Sequence, residues 1–138
     1  MSREIGFRVW DKENEEYING YDVLLKCDGS AISRYALGAL DTYMPVNVII
    51  ERDTGLKDKN GKRICEGDIV RVHHDDMLHD HNKFFGNNAL VERSLSKGGA
   101  FIIRNWYGEQ IIGWDIPLRF IEVIGNIHEN PELLGGEE

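Results

Sequence analysis

Short runs of β-branched and aromatic residues, broken every few positions by glycine, asparagine or aspartate, are the feature that most restricts what this chain can fold into. Runs of this length suit strands, and the residues between them favour tight turns. The pattern is densest from Thr54 to Val72, where Gly55, Gly61 and Gly67 recur at six-residue intervals. Asn60-Gly61 is a turn dipeptide, Gly67 supplies a second sharp turn, and Ile69-Val70-Arg71-Val72 reads as a strand. Further strands are predicted over 89–93, 100–105, 111–114 and 120–127, with Gly98-Gly99 and Gly108 in the turns between them. Short strands at this spacing predict an all-β barrel or sandwich.

The N-terminal part obeys the same grammar. Ile5, Phe7 and Val9 alternate with Arg8 and Trp10, the period of a half-buried strand. A charged turn over 11–16 follows, and Tyr17-Ile18 with 21–27 returns as strand around Asn19-Gly20, giving a β meander. Residues 30–40 are compatible with a short helix, although Gly38 and the serines oppose it. Val46 to Arg52 reads as a strand entered after Pro45. Glu66-Gly67-Asp68-Ile69-Val70-Arg71-Val72 resembles the opening strand of SH3-like small barrels. The expected architecture is therefore all-β: an N-terminal meander over 1–53, then an SH3-like barrel over 54–130, within one domain of 138 residues. Asn130-Pro131 should open a short C-terminal helical turn that Gly135 stops.

Charge narrows the partners. The formal net charge is −8 and is shared evenly by the first 54 residues and the rest, so neither half is a basic lobe. Affinity that came from neutralising many phosphates, or an anionic membrane surface, would require clustered Lys and Arg. Met1-Ser2-Arg3-Glu4-Ile5 is not followed by an apolar segment, so no secretory signal is expected. The uncharged stretch from Thr42 to Ile50 is far below the roughly 20 residues of a spanning helix. Cys27 and Cys65 have no second Cys or His at zinc-knuckle or redox spacing, which predicts two small buried residues in a reducing cytoplasm.

The densest concentration of chemically capable side chains is His73-His74-Asp75-Asp76-Met77-Leu78-His79-Asp80-His81. Imidazole and carboxylate are ligands for zinc, manganese or iron, and His79 and His81 would share one side of an extended segment. The segment lacks the His-x-His-x-Asp-His string of common dinuclear hydrolases and follows a strand, so a solvated loop is the expected state. Glu66 and Asp68 flank Gly67 and are expected to build a turn, since an acid/base pair would also need a cleft and unequal environments. Asp58-Lys59-Asn60-Gly61 places its glycine too early for a calcium loop and reads as a hairpin turn. Phe101, Trp106, Tyr107 and Trp114 are expected to pack in the β core. If exposed, they could stack bases, with Arg93, Lys97, Arg104 and Arg119 as a modest basic patch. No nucleophile elbow, P-loop or Ser-His-Asp arrangement is present at recognisable spacing.

Three blocks, taken together, carry a family likeness. Arg8-Val9-Trp10-Asp11 near the start, Thr54 to Gly61 with Glu66-Gly67-Asp68-Ile69-Val70, and Val123-Ile124-Gly125-Asn126-Ile127 with Asn130-Pro131-Glu132-Leu133-Leu134 resemble the YopX family of phage and prophage proteins. The resemblance spans essentially the whole chain and implies an all-β protein made in the cytoplasm of a Gram-positive host. It transfers no catalytic, cofactor-binding or metal-ligating residue. Residues 30–43 and 73–82 depart from the family pattern. The functional expectation is a non-enzymatic phage accessory protein that binds a host or phage protein, with self-association through strand edges. A nucleic-acid-binding small barrel is the first alternative, and a metal-dependent hydrolase built on 73–81 the second.

Overall fold

A computed structural model describes residues 7–18, 23–25, 31–33, 44–45, 48–73 and 83–135. Among these residues the regular structure consists of antiparallel strands and single turns of 3-10 helix, so the all-β expectation holds. The chain divides into two compact units, Met1–Arg52 and Asp53–Glu138. No helix among the described residues is long and apolar enough to cross a membrane.

In the first unit, β1 (Phe7–Asp11) forms a hairpin with β2 (Glu16–Ile18), as the alternation and the charged turn predict. Asp11 shapes that turn: its Oδ1 accepts the N–H groups of Glu13 and Asn14, and its Oδ2 accepts Asn14 Nδ2. On one face Trp10 meets Tyr17 edge-on at 4.9 Å. Arg8 lies over the Tyr17 ring, and both donate to Glu51 Oε1, Arg8 Nε at 2.8 Å and Tyr17 Oη at 2.9 Å. Glu51 is thus a buried carboxylate that accepts from both Arg8 and Tyr17. The strands β3 (Val23–Leu25), β4 (Ala31–Ser33) and β5 (Met44–Pro45) make a small antiparallel sheet. The helix considered over 30–40 is therefore wrong at Ala31–Ser33, where β-pairing to both neighbours overrides a weak helical propensity. Asn19-Gly20, Cys27 and residues 34–40 lie outside the described residues.

Strand β6 (Val48–Lys57) is longer than its apolar run. Its first half pairs with β1 and its second half with β7 (Arg63–Cys65), a strand with too few apolar residues to announce itself. Gly55 and Gly61, at φ of 82° and 85°, supply the left-handed backbone that the irregular β6–β7 hairpin requires.

The second unit is a curled half-barrel of five strands in the order β11-β10-β9-β8-β12. These are β8 (Asp68–Val72), β9 (Asn88–Ser94), β10 (Ala100–Asn105), β11 (Gly108–Ile111) and β12 (Ile121–Asn126). The first four form a meander. The fifth follows a 3-10 turn at Leu118–Phe120 and returns to pair with the first, the connectivity of an SH3-like small barrel. Inside lie Ile64, Val70, Val72, Phe84, Ala89, Val91, Ile103, Ile112, Ile116, Phe120 and Ile121, with Phe85 edge-on to Phe120. Ile69 and Ile102, on the other face of the same sheet, are also fully buried. Burial on both faces explains why Ile69 and Val70 are adjacent apolar residues in β8, while Arg71 reaches solvent.

The C-terminal 3-10 turn, Pro131–Leu133, begins after Asn130 as expected, but the Asn130 side chain makes no capping bond. Its Oδ1 instead accepts the N–H of Asn126, and a Cβ on Gly125 would lie 2.6 Å from that oxygen. Gly125 is therefore required by close approach. Gly125→Ala should cost about 1–3 kcal/mol in denaturant unfolding. The penalty should shrink in the Asn130→Ala background, where the obstructing amide is gone.

Candidate functional site

The residues that carry the family likeness hold loops in place. Asp58, buried at the β6–β7 hairpin, accepts Asn60 N–H and Lys62 N–H through Oδ1 and Val123 N–H through Oδ2, all at 2.8–2.9 Å. Lys59 N–H donates to Ile121 O beside it, so the hairpin lies along the outer edge of β12. Burial pushes the Asp58 carboxyl up, but the three backbone donors and the charge of Lys62 outweigh it and hold the group below the ordinary aspartate value. Thr54 ties the same hairpin by donating from its hydroxyl to Ile64 O. Asp68, also buried, accepts Cys65 N–H across the tight turn at Gly67. Asn126 Oδ1 accepts the N–H groups of His128 and Glu129, and its Nδ2 donates to Glu129. Asp58 and the Glu66/Asp68 turn are thus the turn-builders that the spacing predicts. Cys65 is half-buried where full burial was expected.

Of the histidine segment, His73 is described and residues 74–81 lie outside the described residues. His73 Nε2 meets Glu122 Oε1 at 2.7 Å, and its N–H donates to Phe120 O. Among the described residues no group of three or more His, Cys, Asp or Glu could hold a metal ion.

The aromatics depart most from expectation. Phe101 packs against the core, but Trp106, Tyr107 and Trp114 are 48%, 46% and 82% exposed. The cause is local. Trp106 and Tyr107 form the tip of the β10–β11 hairpin, closed by the Asn105–Gly108 pair and by Tyr107 N–H donating to Asn105 Oδ1. Their rings stand 5.5 Å apart, with Lys83 Nζ over Tyr107. Trp114 was expected at the end of a strand over 111–114, but β11 stops at Ile111. Ile112 and Ile116 turn inward to the core and bridge each other, which forces residues 113–115 outward as a loop. Gly113, at φ 82°, and the Asp115 carboxylate, accepting Ile111 N–H at 2.8 Å, fix that loop. Leu95, 87% exposed in the 3-10 turn Leu95–Lys97, was missed by sequence reasoning.

The four basic residues do not act as one patch. Arg104 is held by Glu92 and Glu109, and the Glu92 hydrogen bond with both carboxylate charges raises its pKa further. Arg119 lies over the Phe120 ring, and Arg93 Nε donates to Gly99 O. Arg93 and Lys97 remain together at the β9–β10 turn.

The class is thus an all-β protein on an SH3-like half-barrel, with polar loop clasps and apolar side chains displayed on its turns. A family model described as YopX protein matches residues 6–135, and the chain belongs to the YopX family. A relative from Bacillus subtilis (strain 168), described as an SPbeta prophage-derived uncharacterized protein YopX, is 30% identical over 94% of this chain and 96% of its own length. The crystal structure of protein yopX from Bacillus subtilis matches with a TM-score of 0.56 and 26% identity over 99% of this chain and all of that one. Protein EF1440 from Enterococcus faecalis shares the fold at a TM-score of 0.53, with 24% identity over 96% of this chain and 99% of its own.

The Asp58 clasp makes a prediction with a defined sign. Replacing Asp58 by Ala leaves three backbone donors unpaired and should cost about 2–4 kcal/mol. Because the folded-state pKa is lowered, the carboxylate's contribution is present in full above the ordinary value of 3.8 and is lost as pH falls through the lower folded value. Urea unfolding across pH should therefore show the gap between wild type and Asp58→Asn closing as pH falls from the ordinary value of 3.8 through the lower folded one.

Proposed function

We propose that this chain is a phage or prophage accessory protein that works in the bacterial cytoplasm by binding another protein, without catalysing a reaction. One observation carries the reading: Leu95, Trp106, Tyr107 and Trp114, all large and apolar, are exposed on hydrogen-bonded turns of a packed sheet. Side chains of this kind add nothing to the core, yet Trp and Tyr are residue types that anchor protein interfaces, and Leu95 adds exposed apolar surface. The SPbeta prophage-derived relative supports the phage setting.

Exposed rings could also stack nucleic-acid bases, which keeps that alternative in view. Against it stand the −8 charge and the neutralisation of Arg104 by two glutamates. The hydrolase alternative is weakened by His73, whose Nε2 is engaged by Glu122. Self-association through strand edges has less support than binding a different protein, because Asp58 and Lys59 occupy the outer edge of β12.

A tagged pull-down from phage-induced host cells, with and without nuclease, tests the reading. Partner bands should survive nuclease and diminish when Trp106, Tyr107, Leu95 and Trp114 are all replaced by Ala. Loss of every band on nuclease treatment would instead support nucleic-acid binding. Light scattering at tens of micromolar checks self-association, and a monomer removes it.

A further inference from the structure

We propose that the end of the half-barrel formed by the Leu95–Gly99 and Gly113–Asp115 turns is a docking surface for an acidic segment of a partner protein that carries apolar side chains. The proposal rests on the protein-binding reading above and names the surface and the chemistry of its partner.

Topology brings the two turns together. β9 and β11 flank β10, and the Leu95–Gly99 turn follows the end of β9. The Gly113–Asp115 turn follows β11, whose end lies beside the start of β10, and Ile112 N–H donates to Phe101 O there. Two strand spacings separate β9 from β11, which puts the bases of the turns roughly 10 Å apart. Leu95 and Trp114, the two most exposed large apolar residues described, therefore project from one end of one sheet. Trp106 and Tyr107 stand at the opposite end, where they contact each other and Lys83.

Both turns are held rigidly. Gly98 N–H donates to Leu95 O and Gly99 N–H to Ser94 O, with both glycines in the left-handed region. Buried Ser94 shares a hydroxyl contact with Ser96 at 3.0 Å. Across from it, Gly113 N–H donates to Ile116 O, and Asp115 N–H to Ile111 O at 2.8 Å. A side chain displayed on a turn already ordered loses little further freedom on binding.

Charge selects the partner. From Arg93 to Gly99 the chain carries two cations and no carboxylate, within a protein of net charge −8. Neither Arg93 nor Lys97 has a carboxylate partner among the described residues, and both are exposed. The carboxylates bordering these turns are engaged already: Asp115 accepts Ile111 N–H, and Glu109 receives Ser94 Oγ and Arg104 Nη1. A partner segment with Asp or Glu beside apolar residues satisfies both cations while covering Leu95 and Trp114.

The test is selection of a random dodecapeptide phage-display library on the immobilised full-length protein. Enriched sequences should combine acidic and apolar residues. Their affinity should fall at least tenfold on Lys97→Glu and on the Leu95→Ala/Trp114→Ala pair, with the thermal midpoint of each variant unchanged. Enrichment of basic or uncharged sequences, binding undiminished by either variant, or no enrichment overturns the proposal. The pull-down separates the two levels. A nuclease-resistant partner captured equally by wild type and the Leu95→Ala/Trp114→Ala variant overturns this surface and leaves the protein-binding reading standing, whereas no nuclease-resistant partner overturns that reading.

Discussion

The Asp58 carboxylate is the contact on which most of the second unit depends. A curled sheet of five strands has two edges, and the edge of β12 would otherwise present unpaired backbone groups. One side chain closes the β6–β7 hairpin upon itself and fastens it to Val123, while Lys59 adds a backbone bond to Ile121. The hairpin that follows the strand shared by both halves of the chain thereby becomes a cover for the barrel's returning strand. A single ionised group linking elements 65 positions apart in sequence orders the unit in a way that short-range turn preference could not.

The same economy recurs in the smaller clasps. Asp68 spans the Gly67 turn, and Asn126 and Asn130 bind the segment after β12 to its own start. These polar residues coincide with the blocks by which the family is recognised. The likeness therefore reports on how the loops are fastened, and it says little about binding. The binding surface proposed here lies on residues outside those blocks, so relatives can share the fold while displaying different side chains on the turns.

Much of the architecture was legible from local pattern. Alternation in β1, the β-branched residues of β8 and the glycines between strands are direct consequences of burial and turn geometry, and β10 was bounded correctly over 100–105. What escaped was decided by pairing with neighbouring segments, which the pattern within one segment does not encode. Arg63-Ile64-Cys65 becomes a strand only because β6 lies beside it, and Ala31–Ser33 only because two strands flank it. Trp114 read as core because aromatics dominate small β interiors. Its exposure follows from Ile112 and Ile116 meeting across the intervening loop, a contact no periodicity encodes.

The sequence by itself determined the class, because turn residues at short intervals favour short strands. Tertiary structure alone decided which apolar residues were spent on the core and which were left in solvent. Strand neighbours settle that choice, because the inward direction at any position depends on what pairs beside it and on where the chain is forced to loop. Leu95 and Trp114 are apolar in the sequence like Ile112 and Ile116, and only the half-barrel separates the two that are displayed from the two that hold it together.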